Sequence, residues 1–63
     1  NILYIELNEN ANIQMFNSLG QLVYTAQGNT GKNTLSTSNF GNGLYIIKVT
    51  NNKASYTRSV IVK

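Results

Sequence analysis

Apolar and polar residues alternate along several short stretches of the chain, with the two-residue period of a β-strand. The first two stretches are Ile2–Leu7 and Ala11–Phe16. Each places aliphatic side chains on one face: Leu3, Ile5 and Leu7 in the first, Ile13 and Met15 in the second. Side chains of a strand point alternately to opposite sides, so this pattern is typical of a sheet with one buried face. No apolar set recurs at helical spacing over a useful length, so we expect strands.

The segment Asn17–Gly20 separates the second stretch from a third and has the composition of a tight turn. Asn17 suits the first position of a type I turn, and Gly20 can supply the positive φ that follows it. These two residues predict a hairpin with a three-residue loop and a G1 bulge. Ala11–Phe16 should therefore fold back onto Gln21–Ala26, with Val23 facing inward.

The middle of the chain predicts a loop, a short strand and a core residue carried by a second loop. Gln27–Asn33 contains two glycines and a lysine and is interpreted as an exposed loop. Asn33–Thr37 is a short strand with Leu35 as its core residue. Phe40 follows among Ser and Asn residues, and we expect its side chain to reach into the core from a loop.

The C-terminal part predicts the strongest hairpin, formed by Leu44–Thr50 and Ala54–Lys63. Asn51 and Asn52 would form a two-residue turn, since Asn tolerates the left-handed region. That turn would pair Val49 with Ala54, Ile47 with Tyr56, and Tyr45 with Arg58. Directly opposed residues share a face. The resulting apolar surface comprises Tyr45, Ile47, Val49, Tyr56, Val60 and Val62, and Arg58 fits that face poorly unless it reaches past the sheet edge or a bulge resets the register.

About six short strands at regular spacing predict an all-β fold, either a β-sandwich or a small barrel. A chain of 63 residues has room for one domain with a thin core. We therefore treat residues 1–63 as a single domain. Because the chain begins with Asn1 rather than Met, we expect it to be part of a longer precursor.

The composition removes most catalytic and metal-binding chemistry. The sequence contains no Cys, no His and no Asp, and its only acids are Glu6 and Glu9. The usual Zn²⁺ ligands, most Ca²⁺ ligands and the common nucleophile–base pairs are therefore missing. Glu6 and Glu9 would lie on different faces near a strand end, which favours two solvated charges over a glycosidase pair. We expect no catalytic residue, no metal and no cofactor.

Charge and aromatic residues leave binding roles open. The net charge of +3 comes from five cations, too few for the dense basic patch of a nucleic-acid-binding domain. Lys48, Lys53, Arg58 and Lys63 lie in the last hairpin, where they either form a docking surface or discourage edge-to-edge aggregation. Gly41–Gly43 precedes a strand rather than a helix, which indicates a turn and not a phosphate cradle. Tyr45 and Tyr56 should pack in the core, whereas Tyr4 and Tyr24 could lie on an open face.

The order and spacing of the motifs resemble a known family, the type A C-terminal sorting domain of the type IX secretion system of Bacteroidota. The hairpin segment Ile13–Val23 matches the family pattern φxφφNxxGxxV, where φ is apolar. Gly43–Val49 matches the GxYφφxφ strand, and Arg58–Lys63 matches the basic–apolar terminal strand. Each motif is weak alone, but the ordered set covers nearly the whole chain.

The resemblance implies a small immunoglobulin-like antiparallel β-sandwich of six to seven strands. Family members usually begin with a Pro-Asn-Pro segment and an additional first strand. This chain contains no Pro. We infer that it lacks that first strand, so that an edge is exposed or a strand is supplied from elsewhere, as in a strand-exchanged homodimer.

The resemblance also implies a non-enzymatic function. A fused N-terminal cargo would pass from the periplasm across the outer membrane to the cell surface or the medium. The implied partners are the type IX translocon, an outer-membrane shuttle and a sortase-like protease that usually removes the domain. The recognition residues implied by the family motifs are Gly43, Tyr45, Lys48, Arg58, Val60, Val62 and Lys63.

Two other functions remain open at this stage. One is a carbohydrate-binding or adhesive β-sandwich module, which would need exposed aromatic residues such as Tyr4 and Tyr24. The other is a structural immunoglobulin-like spacer within a larger chain. Loss of glycan binding when the two tyrosines become Ala would favour the first of these.

Overall fold

The computed structural model describes residues 2–63, and within this range the chain forms six β-strands and no helix. All pairings are antiparallel. Strands β1 and β4 form a two-stranded sheet, and the other four form a sheet in the order β3-β2-β5-β6. The predicted all-β antiparallel fold is thus confirmed. The strands are β1 (Ile2–Leu7), β2 (Ala11–Asn17), β3 (Leu22–Gly28), β4 (Gly31–Ser36), β5 (Gly43–Thr50) and β6 (Ser55–Val62).

The core lies between the two sheets. Leu7 and Leu35 of the two-stranded sheet pack against buried residues of the four-stranded sheet, and Met15 at the centre has no exposed surface. Burying a side chain of this size stabilises the fold by about 1.5–3 kcal/mol relative to leaving it in water. The residues of the four-stranded sheet in this cluster are Ala11, Ile13, Met15, Tyr45, Ile47 and Val62.

The β2–β3 hairpin turns at Asn17–Gly20, as the sequence predicts. The Gly20 N–H donates to the Asn17 carbonyl at 3.0 Å, and the Asn17 N–H donates to the Gln21 carbonyl at 3.0 Å. The Asn17 side-chain oxygen also accepts hydrogen bonds from the N–H groups of Leu19 and Gln21, each at 3.0 Å. Gly20 has a φ of +84°, a conformation in which a Cβ would be strained.

An irregularity in β3 reverses the predicted direction of Val23. Phe16 lies opposite Leu22, but Met15 lies opposite Tyr24, so Val23 is an extra residue in its strand. An extra residue shifts the following side chains to the other face. Val23 is consequently 37% exposed, and the prediction that it faces inward is wrong. Tyr24 takes the inward position instead.

The loop predicted at Gln27–Asn33 is wrong in extent, because only Asn29 and Thr30 separate β3 from β4. Gly28 is buried within β3. A Cβ at this position would lie 2.7 Å from the Cδ1 atoms of both Leu7 and Ile13. Gly28 therefore serves close packing between the sheets and not a turn, which its position in the sequence alone does not reveal.

The segment between β4 and β5 carries Phe40 to the core, as predicted. The Phe40 N–H donates to the Thr37 carbonyl at 3.1 Å, which closes a turn. The half-buried ring contacts Tyr24 edge-on, with centroids 6.3 Å apart, and Tyr45 at 5.9 Å. Aromatic pairs in such tilted arrangements contribute beyond the area that they bury.

The β5–β6 hairpin differs from its prediction by two residues. Val49 pairs with Tyr56, Ile47 with Arg58, and Tyr45 with Val60. The connection spans residues 51–54, and the Asn51 N–H donates to the Ala54 carbonyl at 3.0 Å.

The predicted two-residue turn at Asn51 and Asn52 is wrong. No residue other than glycine has a positive φ among residues 2–63. Asn51 acts instead through its side-chain oxygen, which accepts from the N–H groups of Lys53 and Ala54 at 2.8 and 2.9 Å. A side-chain oxygen bonded to the backbone two or three residues on replaces a backbone turn. Because the register shift is even, every side chain keeps its predicted face.

Candidate functional site

The recognition residues implied by the family motifs all lie on or next to the β5–β6 hairpin, but they differ in accessibility. Tyr45 and Val62 are buried in the core, and Val60 is half-buried beside it. These three can influence a partner only through the shape that they maintain. The exposed members of the set are Gly43, Lys48, Arg58 and Lys63.

Gly43 and Tyr45 build the start of β5. Gly43 has a φ of +147°, which a residue with a side chain rarely adopts. The Tyr45 hydroxyl donates a 2.8 Å hydrogen bond to the Gly41 carbonyl, so the buried ring keeps its polar atom satisfied. The Gly43 backbone conformation and the Tyr45 hydrogen bond therefore set the path of the backbone from the loop that carries Phe40 into β5.

Lys48 and Arg58 lie on opposite faces of the hairpin. Lys48 is opposite Thr57 on the face that points away from the two-stranded sheet, which we call the outer face. Arg58 is opposite Ile47 on the inner face, yet it is exposed. The structure therefore does not bring these two cations together on one surface.

Arg58 is exposed because the sandwich is open along one side. A cleft with a volume of about 1090 Å³ runs between β1 and the inner face of β5 and β6. β6 is the edge of its sheet, and β1 pairs only with β4 in the described part of the chain. Tyr56, which also lines the cleft, is 65% exposed, so the prediction that it packs in the core is wrong.

Five apolar side chains form a contiguous surface at one end of the outer face. Leu22 pairs with Phe16, and Phe16 pairs with Ile46, which makes one rung across three strands. Leu44 lies two residues before Ile46 on the same face of β5 and pairs with Ile61 of β6. Both side chains are therefore within reach of that rung. We call this set the outer apolar patch: Phe16, Leu22, Leu44, Ile46 and Ile61.

The outer apolar patch is absent from the sequence predictions. Leu22, Leu44 and Ile61 are 50%, 47% and 69% exposed, and Phe16 and Ile46 are half-buried. The sequence does contain an indication of this patch, because apolar residues occupy consecutive positions in Leu44–Ile47 and Val60–Val62. Consecutive residues of a strand point to opposite faces, so these segments are apolar on both. Strands that are apolar on both sides are typical of sheets covered on both sides.

The charged side chain that the strand pairing places on this face is a cation. Lys48 lies on the outer face, and Lys63 directly follows the last residue of β6. Glu6 lies on β1 in the other sheet, and Glu9 contacts Lys53 at 3.5 Å in the hairpin loop. Apart from Val23 next to Leu22, the rest of the outer face is polar, with Gln14 opposite Thr25 and Lys48.

The two tyrosines considered for sugar binding do not form a common platform. Tyr4 is 61% exposed on β1, with the Lys32 ammonium 5.3 Å from its ring centroid. Tyr24 is half-buried against Phe40 in the core of the other sheet. The prediction that Tyr24 could lie on an open face is therefore wrong, because the irregularity at Val23 turns it inward.

Groups of acidic or other metal-binding side chains do not occur among residues 2–63. Over the same range, the chain has no helix of the length and apolarity needed to cross a membrane.

Comparison with known proteins gives one match. A family model described as a secretion system C-terminal sorting domain matches residues 1–63, the whole chain. No curated protein and no solved structure matches the sequence.

Proposed function

The chain belongs to the family of secretion system C-terminal sorting domains, and from this premise we propose that it is a non-catalytic signal that directs a fused N-terminal cargo through the type IX secretion system. The observation that carries the proposal is the family match over all 63 residues. Domains of this family serve as sorting signals, a role that requires recognition rather than chemistry.

Recognition in this proposal depends on a rigid shape with charges at defined positions. Tyr45, Val60 and Val62 hold β5 and β6 in register against the core. Arg58 is exposed on β6, an edge strand, and Lys63 is exposed directly after it, where a partner can approach without unfolding the domain. Lys48 adds a cation on the outer face. Complementary charges speed the encounter between proteins and suppress wrong partners more than they raise affinity.

The partners and the route follow from the same premise. The translocon and an outer-membrane shuttle bind the folded domain in the periplasm, the cargo reaches the cell surface or the medium, and a sortase-like protease removes the domain. The unpaired edge of β1 supports a further proposal, that a strand from a second copy can add there to give an exchanged homodimer.

Charge reversal in a cargo fusion tests the sorting role. The chain is fused to the C-terminus of a fluorescent protein in a host with a type IX system, and the cargo is measured in the periplasm, on the surface and in the medium. We expect Arg58→Glu with Lys63→Glu to leave the cargo in the periplasm, because the exposed cation of β6 and the one that directly follows β6 are both reversed. Deleting residues 58–63 would be less informative, since it removes the buried Val62 and unfolds the domain.

A matched control separates specific recognition from net charge. Lys32→Glu with Lys53→Glu changes the net charge by the same amount at two exposed positions outside β6. We expect this variant to be exported like the wild type. Export of a tail-free cargo at the wild-type level would refute the sorting role. If the Arg58→Glu, Lys63→Glu variant and this control variant were exported equally well, the proposed role of Arg58 and Lys63 would be refuted.

A further inference from the structure

We propose that the outer apolar patch is the surface on which a protein of the secretion machinery docks, through an apolar surface rimmed by carboxylates. The inference rests on the proposed function and deepens it by naming the contact face and the chemistry of the partner. It involves side chains that the family motifs leave unassigned.

The first argument is the exposure of the patch. The fold leaves about half or more of Leu22, Leu44 and Ile61 in water, and Leu19 in the adjoining hairpin loop is 82% exposed. Single exposed apolar residues are ordinary, but contiguous apolar surfaces on a soluble domain mark interaction sites. In this sheet the core uses only the inner face, so burial within the domain does not explain apolar residues on the outer one.

The second argument is the position of the patch. Leu44 directly follows Gly43, and Ile61 lies two residues before Lys63. Ile46 lies two residues before Lys48 on the same face. The patch therefore adjoins Gly43 and Lys48, two of the exposed residues to which the proposed function assigns recognition, so one partner can cover them together; Arg58 lies on the inner face and is not part of this surface.

The third argument concerns the kind of partner. The cations beside the patch are Lys48 and Lys63, and both glutamates lie elsewhere, on or near β1. A second copy placed face to face would bring like charges together. Five side chains also provide less area than the roughly 800 Å² per partner of a standard stable interface. A partner whose apolar surface is rimmed by carboxylates avoids the like-charge contact and pairs with Lys48, and the small area fits a transient complex rather than a stable dimer.

The test uses the same fluorescent cargo fusion with a variant that removes apolar contact but keeps β-propensity. We expect Leu44→Thr with Ile61→Thr to lower export about tenfold, because central apolar anchors contribute most of the energy of small interfaces. Leu22→Thr, on a different strand, should lower export in the same direction. Tyr4→Thr is the control, since Tyr4 is 61% exposed on the other sheet and lines the cleft rather than the patch, and export should stay within about twofold of wild type.

Failures of the two proposals are distinguishable. If the wild-type tail exports no cargo, the sorting role is wrong and the docking inference falls with it. If the wild-type tail exports the cargo and both patch variants export it equally well, the sorting role stands and the docking inference is overturned. Protease resistance of each fusion checks that the variant is folded, and Leu22→Thr decides the outcome if the double variant is not.

Two binding measurements on the purified fusion identify other occupants of the patch. Size-exclusion chromatography would overturn the inference if the wild type forms a dimer that Leu44→Thr with Ile61→Thr dissociates. Sedimentation with vesicles of phosphatidylglycerol and phosphatidylcholine in equal parts would overturn it if the wild type binds and this variant does not. A monomer that ignores the vesicles, together with the loss of export, supports a protein partner.

Discussion

Strands β2 and β6 both direct apolar side chains to the inner face of the sheet, but the environments of their inward-facing residues differ. Ala11, Ile13 and Met15 of β2 are at most 4% exposed. On the inward face of β6, Tyr56 is 65% exposed and Arg58 is also exposed. The difference arises from position, since β2 is central in its sheet and β6 is the edge beside the open cleft. An apolar side chain on the correct face is thus buried only where another sheet covers it.

The largest expected effect comes from removing the fully buried side chain of β2. Met15→Ala should lower the free energy of unfolding by about 3 kcal/mol, because it leaves a cavity at the centre of the core. Tyr56→Ala on β6 should cost less than about 1 kcal/mol, since its ring is already mostly in water. Denaturant unfolding of the cargo fusion, followed by a probe on this domain, measures both, and equal losses would contradict the comparison.

A smaller effect is expected where the two sheets approach most closely. Gly28→Ala should destabilise the domain by about 1–2 kcal/mol, because the new Cβ would force the ends of Leu7 and Ile13 to shift. Gly41→Ala is the matched control, since no heavy atom outside its chain neighbours lies within 4 Å of the Cβ. The same unfolding measurement applies, and a Gly28→Ala variant as stable as wild type would show that the core adjusts freely.

The two hairpin turns should respond differently to substitution. Asn17→Ala should cost about 1 kcal/mol, because its side-chain oxygen accepts two backbone hydrogen bonds. Asn52→Gly should change stability by only a few tenths of a kcal/mol and should not stabilise, since Asn52 has no positive φ for glycine to relieve. A clear gain in thermal stability for Asn52→Gly would instead favour the two-residue turn.

The smallest effect is expected at the ion pair between Glu9 and Lys53. The Lys53 side chain is 77% exposed and the Glu9 side chain 51%, so water and salt screen their attraction. Lys53→Gln should therefore lower the free energy of unfolding by less than about 0.5 kcal/mol. If the loss were larger and vanished at high salt, the loop of the β5–β6 hairpin would be held more strongly than its exposure indicates.

The strands, the core of β2 and the first hairpin were predictable, because alternation and turn chemistry act over a few neighbouring residues. Asn17 and Gly20 specify their turn locally, and the actual hydrogen bonds follow that prediction. Val23 was not predictable, because one extra residue in a strand leaves no mark on the local pattern. Gly28 was misinterpreted since its contacts, Leu7 and Ile13, belong to other strands.

Of the candidate site, the sequence alone indicated the segment but not its surface. The motifs around Gly43, Tyr45 and Arg58 pointed to the C-terminal hairpin, and the family match confirms the family resemblance that they carried. Which members reach a partner depends on burial: Tyr45 is in the core, as predicted, whereas only the fold shows that Arg58, on the same face, is exposed beside the open cleft.

The amino-acid sequence by itself determined that this protein is all-β, that it lacks the usual catalytic side chains, and, except in β3, which residues of each strand share a face. These properties depend on composition and on a period of two, which hold whatever the strands pack against. The tertiary structure alone decided the β5–β6 register, the open cleft beside Arg58 and the outer apolar patch. These features arise where separate strands meet. They depend on which faces another sheet covers, and that coverage is a property of the whole fold.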